Sequence, residues 1–309
     1  MLPRSWRKKK VKLAILVNTI LRRAIEIGPL FVLGRFRVCR DAYSRIEHFR
    51  QSVAPSYKKK VREQSRNLQP RDKSIFNGFD ADRSVEDLRK DGVSIGLHLP
   101  PKTVDEIYEL ASRLPLQNST RKRPFLKSEV SEGGRLPSGE MVTIGSAYKK
   151  RKGALLEHEC VAQIVYDPLL LDIASRYLGY WPNRLSDLEL YWSFATKQTP
   201  EEQMAQGNAI DYHFDLHGFN FMMVAFYLTD TDRDSGAHVM FKQSHGKKTW
   251  PMIFSYSQPA ETLRDFYGSD KETMIEGEAG SGFMLDNSTY HRASTPEAAD
   301  RLLLRLVYT

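Results

Sequence analysis

One short stretch of this chain decides its fold: Tyr212-His213-Phe214-Asp215-Leu216-His217. Polar and bulky apolar residues alternate in it, so on a β-strand His213, Asp215 and His217 would share one face. The run 210–216 alternates enough to predict such a strand. Another histidine, His291, lies far downstream. It must arrive from a different strand of the same β-structure if it is to join them.

Two imidazoles and one carboxylate form the facial triad of non-haem Fe(II) oxygenases. Imidazole nitrogen suits Fe(II), and a carboxylate offsets its charge. The triad occupies one face of the metal and leaves positions open for a chelating cosubstrate and O2. We therefore take His213, Asp215 and His291 as the candidate metal ligands. The alternative is that both histidines are ordinary core or surface residues. His217 could line the substrate side of the cavity, support Asp215, or be a satisfied core histidine.

The last strand supplies two candidate arginines. Residues 300–308 form an apolar run that contains Arg301 and Arg305, and both would lie on one strand face. A guanidinium meets a carboxylate with two parallel hydrogen bonds, so Arg301 is the candidate anchor for a dicarboxylate. Arg305 could share that carboxylate or orient the substrate. The alternative for Arg305 is an ion pair with an acidic residue.

The residues 187–194 predict a strand with two different faces. Its apolar face, which we expect to pack in the core, contains Leu188, Leu190, Trp192 and Phe194. Its other face contains Glu189, Tyr191 and Ser193. That polar face either points to solvent or lines a pocket.

Five motifs in order, from about Leu88 to Thr309, resemble the phytanoyl-CoA dioxygenase family of iron- and 2-oxoglutarate-dependent oxygenases. They are Leu88-Arg89-Lys90-Asp91-Gly92-Val93-Ser94-Ile95, the stretch 212–217, Phe226-Tyr227-Leu228-Thr229-Asp230-Thr231, the hairpin 235–247, and the final His291 with Arg301. The chain departs from the family at Lys242-Gln243, where Pro-Gly is usual before Ser-His. Asp215 is retained, which counts against the halogenating relatives.

The resemblance implies an α+β fold with a double-stranded β-helix (jelly-roll, cupin-like) core flanked by helices. It implies Fe(II) on the triad, 2-oxoglutarate held by Arg301, and O2 as the oxidant. Tyr191 and Ser193 could line the cosubstrate pocket. The expected reaction is hydroxylation of an unactivated C–H bond in a small-molecule, lipid-linked or sugar substrate, with release of succinate and CO2. The alternative is a metal- and ligand-binding module without turnover, acting in interaction or regulation.

Composition limits the compartment and the number of domains. A chain of 309 residues can bury a substantial core, and an oxygenase barrel with helices can use over 200 residues as one domain. Cys39 and Cys160 are the only cysteines, so there is no disulfide framework. A reducing, cytoplasmic location is the expectation.

Charge divides the chain into two parts. Residues 1–73 hold 20 Lys and Arg against 5 Asp and Glu, a net charge of +15, whereas residues 74–309 have a net charge of −7. We therefore predict a basic N-terminal extension, 1–73, and an oxygenase domain, 74–309. None of the motifs above falls within the extension.

The extension begins with Trp6 in a cationic cluster, Lys8-Lys9-Lys10, and continues as an apolar stripe from Leu13 to Ile25. The uncharged run is too short to span a bilayer, and no small-residue cleavage site follows it. A basic amphipathic helix could lie on the anionic inner face of a membrane, as a peripheral contact. It could instead pack on the barrel or on a second subunit. Binding of nucleic acid is a third interpretation, for which there is no supporting motif.

Periodicity predicts helices at about 11–27, 40–52, 103–113 and 154–177, the last with a break near Asp167-Pro168. The polar residues 198–208 predict a loop before the metal strand, in a position where long loops act as substrate lids. Strands are predicted to dominate from Leu188 onward. Helices first and strands later are typical of an α+β arrangement.

Overall fold

The computed structural model describes residues 33–53, 70–118, 123–147, 153–199, 202–203, 211–255 and 257–309. The described helices are α1 (Arg37–Val53), α2 (Ala81–Asp91), α3 (Pro101–Arg113), α4 (Glu159–Val165), α5 (Pro168–Leu178), α6 (Trp250–Phe254) and α7 (Ala260–Tyr267). The predicted helix at 11–27 and most of the predicted lid loop lie outside the described residues.

The described strands form two antiparallel sheets. The strands are β1 (Val93–His98), β2 (Leu116–Gln117), β3 (Ile144–Ala147), β4 (Leu185–Ser193), β5 (Tyr212–His213), β6 (Met222–Tyr227), β7 (His238–Phe241), β8 (Ser257–Gln258), β9 (Glu272–Ile275), β10 (Ser281–Leu285), β11 (His291–Ala293) and β12 (Arg301–Tyr308). The larger sheet has the order β1-β10-β6-β12-β4-β3-β2, and the smaller has the order β8-β5-β11-β7-β9. The predicted α+β mixture of helices and strands is confirmed, and the strand pairs in both sheets are antiparallel.

Local sequence signals set the helix ends. The Asp167 side chain caps α5 by accepting hydrogen bonds from the backbone N–H groups of Leu169 and Leu170. Pro168 opens that helix, which explains the break predicted there. Gly92 ends α2 with a φ of +79°, and a Cβ at this position would also collide with Thr289 and His245. Glycine is therefore required at the turn into β1.

Successive side chains along the strands of the larger sheet point to opposite faces, and each face packs in a different hydrophobic core cluster. The even-numbered residues of β12, from Leu302 to Tyr308, pack with Leu190 and Trp192 of β4 in the larger core cluster, which also includes residues of α2, α3, α4 and α5. The odd-numbered Leu303 and Val307 pack with residues of both sheets. The predicted apolar face of β4 is thus buried, and its other face points into the space between the sheets. That space is where the site lies.

Part of the predicted N-terminal extension is fixed to the body by α1. The Arg40 guanidinium is buried and donates to the carboxylate of Asp286 (2.8 Å), to the Ser288 hydroxyl (2.5 Å) and to the Asn220 amide oxygen (3.1 Å). Residues 1–32 and 54–69 lie outside the described residues, so the boundary at residue 73 stays a prediction. None of the described helices is both long and apolar enough to cross a membrane.

We expect Arg40→Ala to lower the free energy of unfolding by about 3–5 kcal/mol, because it leaves the Asp286 carboxylate buried without its partner. Burial raises the pKa of Asp286, but the charges of Arg40 and His245, with hydrogen bonds to Ser288 and Tyr177, together outweigh it and hold the pKa below its ordinary value. The contribution of the pair is therefore complete above the ordinary carboxyl pKa and is lost as the pH falls through the lowered value. Chemical denaturation at several pH values measures both effects.

The control is Arg45→Ala, on the exposed side of the same helix. A change of less than about 0.5 kcal/mol is expected for it, as for most surface substitutions. Equal losses for the two variants would mean that the buried pair does not hold α1 in place.

Candidate functional site

The three predicted metal ligands meet because two strands that are distant in sequence pair directly. His213 on β5 lies opposite His291 on β11 in the antiparallel register. Their ring centroids are 4.7 Å apart, and the Nε2 atom of His291 lies 3.6 Å from an Asp215 carboxylate oxygen. One ligand atom from each of the three side chains lies within 4.8 Å of the others. The structure thus brings together all three residues in an arrangement that could hold one ion.

Asp215 is placed by the loop that precedes β11 rather than by a regular strand. The regular strand covers only Tyr212–His213, which is shorter than the predicted run 210–216. The backbone N–H of Asp215 donates to the carbonyl of Asn287 (2.8 Å). This bond continues the pairing of the two segments past the end of the strand. It keeps the carboxylate beside His291.

The hydrogen bonds of His213 and His291 involve the Nδ1 atom of each ring, so Nε2 is the atom that could bind a metal. The Nδ1 atom of His213 lies 3.1 Å from the Asp211 carbonyl, and that of His291 lies 2.9 Å from the Thr289 carbonyl. A carbonyl only accepts, so each Nδ1 carries the proton, and in a neutral ring Nε2 is then the nitrogen that can bind a metal. Such a bond from the second nitrogen is the usual partner of a metal-bound histidine.

The protonation states also suit a metal. Burial, together with the nearby His291 ring, lowers the pKa of His213, which favours the neutral, ligating form. Burial raises the pKa of Asp215, but its proximity to His291, His213 and His217 outweighs this and lowers the pKa below its ordinary value. Two imidazoles and one carboxylate form a donor set that suits Fe(II).

His217 lies next to this group but is not among the three clustered ligands. Its Nε2 atom accepts a hydrogen bond from the Asn287 side-chain amide (3.3 Å), and its ring packs edge-on against Phe221. Burial lowers the pKa of His217, with the Asp215 carboxylate acting in the opposite direction. Asn287 therefore connects His217 to Asp215, because its carbonyl accepts the Asp215 N–H.

Arg301 is buried at the edge of the space between the sheets, where register places Ser193 opposite it. Its guanidinium donates to the Ser193 hydroxyl (2.9 Å) and to the Gly236 carbonyl. Its buried Nε atom has no hydrogen-bond partner among the described residues. A cavity of about 100 Å³ adjoins it, with Ser193 and Ala293 in the wall. The three triad residues do not line this cavity.

Arg305 is already paired with carboxylates. Its Nη2 atom lies 2.8 Å from both Asp187 and Glu189. Tyr191 lies between the two arginines, with its ring centre 6.0 Å from each guanidinium carbon. Of the interpretations of Arg305, the ion pair with acidic residues is the one present in the structure. Within the described part of the chain Arg301 has no carboxylate partner, so it is the arginine left to meet an anion.

His238 lies in the predicted hairpin 235–247, and no role as a ligand was predicted for it. Its ring stacks on His291, with centroids 5.2 Å apart, and contacts Phe283 on another side. Burial and the nearby His291 and Arg301 hold its pKa well below the ordinary value, so the ring is neutral. The alternation of His238 with Met240, which packs between the sheets, is the signal that could have found it.

No family model matches the chain, and no curated protein matches it. Several solved structures are similar to the structure of this chain. EvdO2 from Micromonospora carbonacea var. aurantiaca, also crystallised in complex with 2-oxoglutarate, is 15% identical with a TM-score of 0.50, over 76% of this chain and 92% of that one. The non-heme alpha-ketoglutarate-dependent epimerase SnoN from nogalamycin biosynthesis is 16% identical with a TM-score of 0.49, over 74% and 82%. The likeness to EvdO2 shows a shared fold.

Proposed function

We propose that this chain is an Fe(II)- and 2-oxoglutarate-dependent oxygenase. The observation that carries the proposal is the triad of His213, Asp215 and His291, which two paired strands bring together with one ligand atom of each side chain within 4.8 Å of the others. The likeness of fold to EvdO2, which was crystallised with 2-oxoglutarate, supports it. The expected cofactors, Fe(II), 2-oxoglutarate and O2, agree with the donor set.

The finer assignments are part of the same proposal. The two antiparallel sheets would form the double-stranded β-helix of the phytanoyl-CoA dioxygenase type, with the triad between them. The reaction would be hydroxylation of an unactivated C–H bond in a small-molecule, lipid-linked or sugar substrate. The motifs that resemble that family support these assignments, and fold alone does not choose the substrate.

The residues of this chain would divide the work. His213, Asp215 and His291 would hold the metal, and Arg301 would pair with the far carboxylate of 2-oxoglutarate. Ser193 orients the Arg301 guanidinium by its hydrogen bond. The bound iron would supply C–H oxidation at the expense of 2-oxoglutarate and O2. The buried side chains around the triad would exclude water from that chemistry.

Purified protein supplied with Fe(II), 2-oxoglutarate and O2 tests the proposal through the formation of succinate. We expect turnover that stops when a chelator removes iron. Even without the natural substrate, slow uncoupled conversion should be measurable above a protein-free control. Tight binding of iron and 2-oxoglutarate with no succinate, in the presence of a range of candidate substrates, would support the alternative of a binding module instead.

A further inference from the structure

The helix α1 is amphipathic in the opposite sense from an ordinary surface helix. It buries charged residues, Arg40 and Glu47, against the body of the protein. Its large apolar side chains point outward, and Val38, Ile46, Phe49 and Val53 are between 54% and 73% exposed. A helix on a soluble surface normally has the reverse arrangement.

The exposed apolar residues form a single stripe. With 3.6 residues per turn, positions 38, 42, 46, 49 and 53 fall on one side of the helix, and Arg40 and Glu47 fall on the other. We call Val38, Ala42, Ile46, Phe49 and Val53 the outer α1 stripe. It runs along the helix for about four turns.

The contacts of the inner face fix this orientation. Arg40 is bound to Asp286 and Ser288, and Gln51 donates to the Trp181 carbonyl (2.9 Å). Tyr43 stacks on Phe219 with ring centroids 4.8 Å apart. Rotating the helix to bury the stripe would break all of these contacts. The stripe is therefore held outward by the body itself.

An exposed tryptophan continues the apolar surface at the start of α1. Trp250 is 68% exposed, and its ring lies 5.7 Å from that of Phe36, the residue just before the helix. Leu33 is also exposed there. Tryptophan is enriched where proteins meet the interface of a bilayer, because its ring is apolar with one polar edge.

The surrounding charge is positive. The exposed side of α1 and its ends hold Arg37, Arg45 and Arg50 against one exposed acid, Asp41. Arg37 lies 4.0 Å from Asp41 and Arg50 lies 3.1 Å from Glu47, and one positive charge remains after these two pairs. The 32 residues that precede Leu33 contain eight Lys and Arg and a single Glu. A second copy of the chain docked on the stripe would bring these like charges together, whereas acidic lipid would complement them.

We propose that the outer α1 stripe lies on an anionic lipid surface, with Phe49 and Ile46 inserted at its centre and the arginines contacting lipid headgroups. The proposal places the lipid contact on α1, which is fixed to the body, rather than only on the basic residues before it. It does not depend on the proposed oxygenase activity.

The test is co-sedimentation of the full chain with vesicles of phosphatidylcholine, with and without phosphatidylserine. We expect binding to the phosphatidylserine vesicles that weakens as salt increases. The double variant Ile46→Gln, Phe49→Gln should bind at least about tenfold more weakly, because it removes two of the largest apolar groups from the contact. The matched control, Ile95→Gln with Leu126→Gln, changes two exposed apolar residues elsewhere and should bind like wild type.

Three outcomes would overturn the proposal. The first is equal binding by wild type and the α1 double variant. The second is loss of binding by the control pair to the same extent. The third is that the wild-type protein does not bind vesicles but forms a concentration-dependent dimer in sedimentation velocity, and that the α1 double variant abolishes this dimer. The stripe would then be covered by a second copy of the chain.

Discussion

Asp215→Ala is expected to reduce the iron-dependent conversion of 2-oxoglutarate to succinate to less than about one hundredth of the wild-type rate. Loss of partners that merely orient metal ligands already costs 10–100-fold in affinity or activity, and removal of a ligand should cost more. The Asp215 carboxylate is the only anionic member of the three clustered ligands. Without it, only two imidazoles would remain to hold Fe(II), with no negative charge to offset that of the metal.

Two measurements separate loss of chemistry from loss of fold. The thermal unfolding midpoint of Asp215→Ala without metal should stay close to that of wild type, because the Asp215 side chain is only half-buried. Asp265→Ala, at an exposed position on α7, is the matched control and should keep full turnover. Unchanged turnover in Asp215→Ala would remove this residue from the metal site.

Arg301→Ala is expected to raise the apparent constant for 2-oxoglutarate at least about a hundredfold. Removing one member of a buried charge pair costs about 3–5 kcal/mol, which corresponds to that factor or more. The buried guanidinium has an Nε atom that is unpaired in the described structure, so a carboxylate could complete its hydrogen bonding. Initial rates at varied 2-oxoglutarate measure the change.

Arg305→Ala is the comparison for this prediction. Arg305 is already neutralised by Asp187 and Glu189, so we expect its loss to lower stability more than cosubstrate affinity. Arg301→Lys should recover part of the affinity, because it keeps the charge but loses the two-pronged geometry. A larger increase in the constant for Arg305→Ala than for Arg301→Ala would mean that the other arginine binds the cosubstrate.

Much of the site was predictable because it depends on short-range alternation. The spacing of His213 and Asp215 predicted that both lie on one side, although the regular strand ends at His213, and the alternation of β4 placed Tyr191 and Ser193 opposite its apolar face. The partner of Arg301 then followed from register, which pairs it with Ser193. The register of two paired strands depends on both of them, so it cannot be predicted from the sequence of either strand alone.

Other features depend on contacts between segments that are far apart in sequence. The periodicity of α1 predicted a helix, but nothing in it showed that Arg40 would find Asp286 and turn the apolar side outward. The two carboxylates that occupy Arg305 lie on a neighbouring strand. The helices α6 and α7 were missed because they interrupt a strand-rich region and are short, at five and eight residues.

Anaerobic titration of the protein with Fe(II) in the presence of 2-oxoglutarate tests the central claim most directly. A 2-oxo acid chelated to Fe(II) gives a visible charge-transfer absorption that neither component gives alone. We predict that this absorption appears, saturates at one Fe(II) per chain, and is lost in Asp215→Ala but retained in Asp265→Ala. Absence of the absorption at saturating Fe(II) and 2-oxoglutarate, or its full retention in Asp215→Ala, would contradict the assignment of His213, Asp215 and His291 as the metal site.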